Sequence, residues 1–177
     1  MREMEIYGVS FDMVGKQPIV LLKTAEGNRF LPIWIGHPEA AAILVKLQNH
    51  PPARPMTHDL LHDVLGRLDA EVVSVAVTEM RENTYYARIT LQQNGSEIEV
   101  DSRPSDAIAL AVRSGAKIFV ADDVIDESGV EFEGDASDEE IAAAAGVPPL
   151  ADLDPDEFRA FLDTVSPDEF ASDPEES

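Results

Sequence analysis

The sequence predicts an α+β domain: a mainly antiparallel sheet with three helices packed on it, followed by an acidic C-terminal tail. Apolar residues recur at strand spacing up to residue 35 and again between residues 71 and 121, while residues 38–47, 57–68 and 106–114 carry helical spacing. The resulting order, three strands, two helices, three strands, a helix and a strand, lacks the strict alternation of a parallel sheet. Charge then divides the chain. Residues 126–177 hold eighteen acids against one base, Arg159, so they carry −17 of the total −22, and residues 1–125 carry only −5. We therefore expect a domain over residues 1–125 and a tail over residues 126–177.

Residues 3–14 place Tyr7, Val9, Phe11 and Met13 on one strand face. Residues 18–24 and 29–35 are apolar runs joined by Ala25-Glu26-Gly27-Asn28, a hairpin loop. At Pro38 the spacing turns helical. Proline suits a first turn, Ile43, Leu44 and Leu47 share a face, and Ala40, Ala41 and Ala42 keep the helix slim enough for close packing. After the breaker HPPARP, Thr57 is placed to cap a second helix with Leu60, Leu61, Val64, Leu65 and Leu68 on one stripe. Strands return in EVVSVAVTEM and TYYARITLQ, joined through Arg81-Glu82-Asn83, and Asn94-Gly95 turns the chain into SEIEVDS. Ser105 is placed to cap DAIALAVRS, Gly115 to end it in the left-handed region, and KIFVA closes the domain as a short strand. In the tail, Ser137 and Glu140 form a capping box before IAAAAG, and Asp154-Pro155 opens a short helix with Phe158, Phe161, Leu162 and Val165. PDEF occurs at residues 155–158 and again at 167–170. The remainder of the tail has too little apolar surface to offset chain entropy, which predicts disorder.

No window approaches the roughly 18 apolar residues of a membrane helix, and MREMEIYG lacks the apolar stretch of a signal peptide, so a cytoplasmic protein without membrane partners is expected. The absence of cysteine excludes disulfides, thiolate metal sites and a cysteine nucleophile. Lysine supplies only four of the thirteen basic residues, while acids make up 35 of the 177. Such an acidic protein suits a salt-rich, halophilic cytosol in which self-repulsion is screened within a few ångströms; the alternative is that the tail is a solubilising appendage.

Chemistry concentrates in two stretches. In VDSRPSDAIALAVRSG, period two puts Ile98 and Val100 on one strand face and Glu97, Glu99, Asp101 and Arg103 on the other, with Asp106 in the first turn of the following helix. Asp106 fits either a carboxylate that complements the helix dipole or a functional group. Two carboxylates can hold Mg²⁺ or Mn²⁺, and an arginine can grip a phosphodiester through paired hydrogen bonds. RPMTHDLL repeats the arrangement with Arg54, Thr57, His58 and Asp59 and adds an imidazole, which is either a general base, a metal ligand or a polar helix-start residue. His62, one turn beyond His58, makes a two-histidine metal site conceivable, but no HExxH pattern accompanies it. Glu39, in Gly36-His37-Pro38-Glu39, extends the carboxylate set if the helix starts meet in space. Tyr86, with Tyr85 and Arg88, offers a ring for stacking on a base or for packing within a strand.

Taken together, FLPIWIGHPEAAAI, RPMTHDLL, TYYARITL and DSRPSDAIALAVRSGAKIFV resemble the bifunctional nuclease domain family, four motifs in its order and at its spacing over residues 4–125. The resemblance implies an α+β domain that often self-associates, a dimer being favoured, and an activity that cuts both DNA and RNA. Glu39, Arg54, His58, Asp59, Asp101, Arg103, Ser105 and Asp106 match the motif positions. Some members end in a helical-hairpin interaction motif, a place that here holds the acidic tail.

The expected function is thus metal-assisted hydrolysis of phosphodiester bonds in RNA and DNA. His58, Asp59, Asp101 and Asp106 are the catalytic candidates, and Arg54, Arg103, Ser105 and Tyr86 the substrate-binding ones. Glu39, Asp59 and Asp101 are candidate ligands for Mg²⁺ or Mn²⁺, and no organic cofactor is expected. A net −5 even in the domain and the lack of any Lys/Arg run keep a second reading open, a non-catalytic regulatory or anion- or small-ligand-binding oligomeric module. The acidic surface also carries a stability prediction. The melting temperature should climb between low and molar KCl at fixed pH, and a flat calorimetric profile would rule out a salt-adapted fold.

Overall fold

The computed structural model describes residues 1–12, 17–50 and 52–131. In chain order the elements are β1 (Arg2–Asp12), β2 (Gln17–Thr24), β3 (Arg29–Trp34), α1 (His37–Leu47), α2 (Thr57–Arg67), β4 (Ala70–Arg81), β5 (Thr84–Gln93), β6 (Ser96–Ser102), α3 (Pro104–Ser114), β7 (Lys117–Val120), α4 (Asp122–Ser128) and β8 (Val130–Glu131). The eight strands form one sheet in the order β6-β5-β4-β7-β1-β2-β3-β8, antiparallel throughout except where β7 lies parallel to β4. The α+β class and the mainly antiparallel sheet are as the sequence predicts. The helix count is not: four helices are described rather than three.

The fourth helix and the last strand lie at the edge of the acidic region. α4 buries Val124 and Ile125 in the main core, and β8 pairs with β3 through Arg29↔Glu131 and Phe30↔Val130. Arg29 bonds to Asp126 and Glu131, so two acids of that region anchor to a domain strand. The described elements thus extend to Glu131, into the stretch read from the sequence as tail. The two expected tail helices and the expected disorder lie outside the described residues.

Sheet curvature sets the shape of the core. Three strands stand between β3 and β4, so a flat sheet would hold them about 19 Å apart at the usual strand spacing. The seven-residue α4 nevertheless touches both. The sheet therefore curls, helped by register shifts in β1 at Ile6/Gly8 and in β4 at Val72/Ser74 and Val77/Glu79, since bulges bend strands and increase their twist. α3 contacts β4, β5 and β7 as well as α1 and α2. Seven of its eleven residues are buried, among them Ala107, Ala109 and Ala111, and Ala40 and Ala42 of α1 are buried too. Small side chains on both helices permit a close approach of their backbones. α2 packs differently: none of its residues is fully buried, and Leu60, Leu61, Val64 and the following Leu68 stay exposed.

Turn chemistry follows the sequence. Asn94 and Gly95 both take positive φ in the β5–β6 hairpin, and Gly115 ends α3 at φ 72°. The two hydroxyl caps do not form. Met56 occupies the N-cap of α2 and Arg103 that of α3, which puts Thr57 and Ser105 inside the first turns, and neither helix start has a side-chain cap bond from its N-cap residue. Proline explains the α3 start. Pro104 favours N1, where its missing N–H costs nothing, so the cap falls one residue before it.

Candidate functional site

Three helix starts meet on one side of the molecule. Glu39 comes from the first turn of α1, His58 from the first turn of α2, and Arg103 and Asp106 from the cap and first turn of α3. Their side chains are joined through the Arg103 guanidinium. Its Nη2 donates to Glu39 Oε1 at 2.7 Å and to Asp106 Oδ1 at 3.2 Å, and its Nε donates to Asp106 Oδ2 at 2.8 Å. His58 Nε2 lies 2.9 Å from Asp106 Oδ1. With Nε2 as the protonated nitrogen, a neutral His58 donates to Asp106 and keeps a lone pair on Nδ1.

Exposure is divided unequally within the cluster. The Arg103 side chain is 66% exposed, against 14% for Glu39 and 11% for His58. The anchors are sheltered while the cation faces solvent. Gly36 leaves room for this arrangement, because a Cβ there would meet Glu39 Oε2 and push the carboxylate aside. Burial works to raise the Asp106 carboxyl, but the Arg103 guanidinium and His58 outweigh it and hold the group below the usual carboxylate range. The hydrogen bonds to Asp106 and then Glu39 push Arg103 above its ordinary value, so it is a permanent cation.

Beside the cluster runs a cleft of about 410 Å³, whose lining includes Trp34 from β3, Asn83 and Tyr85 from the β4–β5 hairpin, and Arg103 and Ser105 from α3. Ser105 is buried, and its hydroxyl makes no hydrogen bond to another described residue. Burial raises the Tyr85 hydroxyl above the normal tyrosine value, partly offset by its hydrogen bond with Ser128.

The remaining candidates stand elsewhere. Asp59 bonds not to the cluster but to Arg113, whose Nε donates to its Oδ1 at 2.7 Å, while its Oδ2 accepts the Met56 backbone N–H at 2.8 Å. Burial raises Asp59, and these two donors together lower it further than burial lifts it. Asp101 is exposed on β6, across from Arg88, and makes no ion pair with any described residue; Arg88 bonds to Glu99 instead. Arg103, expected on the same strand face as Asp101, has left the strand to cap α3. Arg54 is exposed and makes no ion pair with a described residue. Tyr86 carries the Arg81 guanidinium 5.3 Å from its ring centroid, whereas its neighbour Tyr85 lines the cleft. His62 lies 4.0 Å from Asp63, turned to a different partner from that of His58.

The expected metal ligands fit poorly together. Glu39 is held by Arg103, Asp59 by Arg113, and Asp101 stands alone, and among the described residues no three His, Asp or Glu side chains are grouped to hold an ion. Three residues carry weight without having been singled out from the sequence: Trp34, Asn83 and Arg113. Trp34 sits in an apolar strand run and Arg113 in a last helical turn, where a cation needs no further explanation; neither position signals its surroundings.

The chain is similar in sequence to known proteins. The model of the bifunctional nuclease domain matches residues 20–133. An uncharacterized protein of Mycobacterium tuberculosis is 39% identical over 170 residues, covering 96% of this chain and 98% of the relative. Bifunctional nuclease 1 of Oryza sativa subsp. japonica is 32% identical over 105 residues, 57% of this chain and 32% of the rice protein, and bifunctional nuclease 1 of Arabidopsis thaliana is 32% identical over 107 residues, 58% of this chain and 33% of its own length.

The Asp59–Arg113 pair yields a prediction opposite to that for a purely catalytic aspartate. Asp59→Asn should destabilise the fold by about 2–4 kcal/mol, because it leaves an arginine side chain that is only 3% exposed without its counter-charge. Asp59 sits below its ordinary value of 3.8 in the folded state, so its contribution is fully present above that value and is lost as pH falls below it. The stability gap between parent and variant, read from urea melts, should therefore narrow on acidification below that point. A gap that is absent at neutral pH would overturn the structural role.

Proposed function

Because the chain belongs to the bifunctional nuclease domain family, we propose that it hydrolyses phosphodiester bonds of nucleic acid at the cluster of Glu39, His58, Arg103 and Asp106. The observation that carries this reading is the state of Arg103: a mostly exposed guanidinium, fixed by two carboxylates, at the mouth of a cleft and sharing Asp106 with an imidazole. Its Nη1 has no described partner and is the donor left over for a phosphate oxygen.

In the proposed reaction the lone pair on His58 Nδ1 takes a proton from water as the water oxygen bonds to phosphorus. Asp106 holds the imidazole in place and stabilises the imidazolium that forms. Arg103 offsets the charge that develops on the phosphoryl oxygens as the bond to the leaving oxygen breaks, and solvent protonates that oxygen. Glu39 keeps the guanidinium oriented. Ser105 supplies a further hydroxyl in the lining of the cleft. No step is routed through Mg²⁺ or Mn²⁺, whose expected ligands are dispersed; a divalent-ion requirement remains the competing proposal, with Asp101 as its residue.

Assembly is proposed from the α2 face. Leu60, Val64 and Leu68 are exposed and equally spaced, so about a two-fold axis at Val64 the Leu60 of one copy meets the Leu68 of the other. Val64→Glu should shift a dimer to monomer in sedimentation velocity, and an unchanged sedimentation coefficient would reject this face.

The catalytic reading is tested by cleavage of labelled RNA and DNA in high KCl, with and without chelator. His58→Ala should lower kcat by roughly 10²–10⁴-fold and Arg103→Gln by about 10²–10³-fold, while Asp101→Asn stays near the parent rate. Loss of all activity on chelation, together with loss in Asp101→Asn, would return the chemistry to a metal. A parent that cleaves neither nucleic acid would favour the regulatory, anion-binding module.

A further inference from the structure

Trp34 is the only tryptophan of the chain, and its placement runs against the strand that carries it. In β3 the four residues before it are buried, and Ile35 after it is buried as well, yet Trp34 is 44% exposed. An indole offers a large flat apolar face, and at the end of this core strand part of that face is open to the cleft. Trp34 shares the 410 Å³ cleft with Arg103, Ser105, Asn83 and Tyr85.

Each group has a distinct use. Arg103 is a fixed cation for a phosphate. Neither the Asn83 side-chain amide nor the Ser105 hydroxyl makes a hydrogen bond to a described residue, so both are free to bond to a ligand. Asn83 is also held in place, since it and Glu82 take positive φ values of 58° and 49° in the tight turn between β4 and β5. A planar aromatic surface, an amide that matches the donor–acceptor edge of a base, and a cation within one cleft are the elements by which proteins hold a nucleotide. The volume lies near the lower end for small-molecule pockets, enough for one nucleotide and far too small for a duplex.

We infer that the cleft is a nucleobase subsite in which the base next to the scissile phosphate stacks on Trp34, so that the substrate is single-stranded or locally unpaired nucleic acid. A base with its face on an indole cannot remain stacked in a duplex, and extruding it from paired DNA costs energy that a free strand does not require. This inference rests on the phosphodiesterase reading for the position of the phosphate at Arg103, but the stacking itself is measurable without cleavage.

The sole tryptophan makes the test direct. In high KCl, the intrinsic fluorescence of the full chain is titrated with adenosine monophosphate, with ribose 5-phosphate, and with one oligonucleotide as a single strand and as a duplex. Quenching by the nucleotide and the single strand, but not by ribose 5-phosphate and only weakly by the duplex, is the expected result. In the cleavage assay Trp34→Ala should raise KM by about tenfold to a hundredfold, the equivalent of one lost base stack, with kcat changed less, and Trp34→Phe should restore most of the affinity. Equal response to ribose 5-phosphate, or a Trp34→Ala variant that cleaves at the parent KM, would overturn the subsite. Quenching by the nucleotide without any cleavage would instead sink the hydrolytic reading and leave the subsite standing.

Discussion

The Arg113 side chain is only 3% exposed, and a charge at that depth is tolerated only where acceptors surround it. Each of its nitrogens has one. Nε donates to Asp59, Nη1 to the Ala109 carbonyl of its own helix, and Nη2 to the Ala42 carbonyl of α1. The residue therefore ties α3 to both other helices of the site. Glu39, His58, and Arg103 with Asp106 ride on the first turns of those same three helices. Their separations of 2.7–3.2 Å depend on how the helix starts are held, and α2, which packs Leu65 against the core but has no fully buried residue, is tied in further by this clamp.

The two Arg-Pro stretches look alike in sequence and diverge in space for a local reason. Asp59 and Asp106 each stand three residues after the N-cap of their helix. In α2 the N-cap is Met56, which offers no side-chain donor, so Asp59 reaches back to its backbone N–H and turns its other oxygen to Arg113. In α3 the N-cap is Arg103, whose own guanidinium folds forward onto Asp106. One aspartate is absorbed by the scaffold, while the other holds a solvent-facing cation and an imidazole.

Legibility in the sequence follows the range of the interaction. Strands β2 to β7, the hairpin turns and the bodies of the first three helices rest on local periodicity and stand where the spacing put them, whereas the caps of α2 and α3 fall earlier than expected and the short β8 carries no such signal. α4 was missed because Asp122, Asp123, Asp126 and Glu127 dominate its seven residues, leaving only Val124 and Ile125 as an apolar signal too short to read. The insertion of β7 between β4 and β1 has no local signature at all, since strand pairing is decided by the whole core. Within the site, Glu39, His58, Arg103, Ser105 and Asp106 were readable as candidates, but the assignment of Asp59 to Arg113 was not. A buried arginine in a last helical turn and a dipole-complementing one share the same sequence. Trp34 was hidden likewise, because a continuous apolar run does not reveal which member lacks a cover.

The electrostatics of the cluster bear on why the proposed subsite for a base would matter to it. Glu39 and Asp106 fix Arg103 but also neutralise it, so the three side chains together carry a net negative charge with His58 neutral. A phosphate arriving there meets one unengaged nitrogen and two nearby carboxylates, on a domain that is itself net acidic. Long-range attraction contributes little to such an encounter, and added salt screens what remains while also weakening phosphate contacts. Stacking on an indole and hydrogen bonds to an amide lose far less to screening, because they do not depend on net charge. On the proposed reading, such an acidic protein would gain affinity from the base and leave to the phosphate contact the task of placing the scissile bond beside His58.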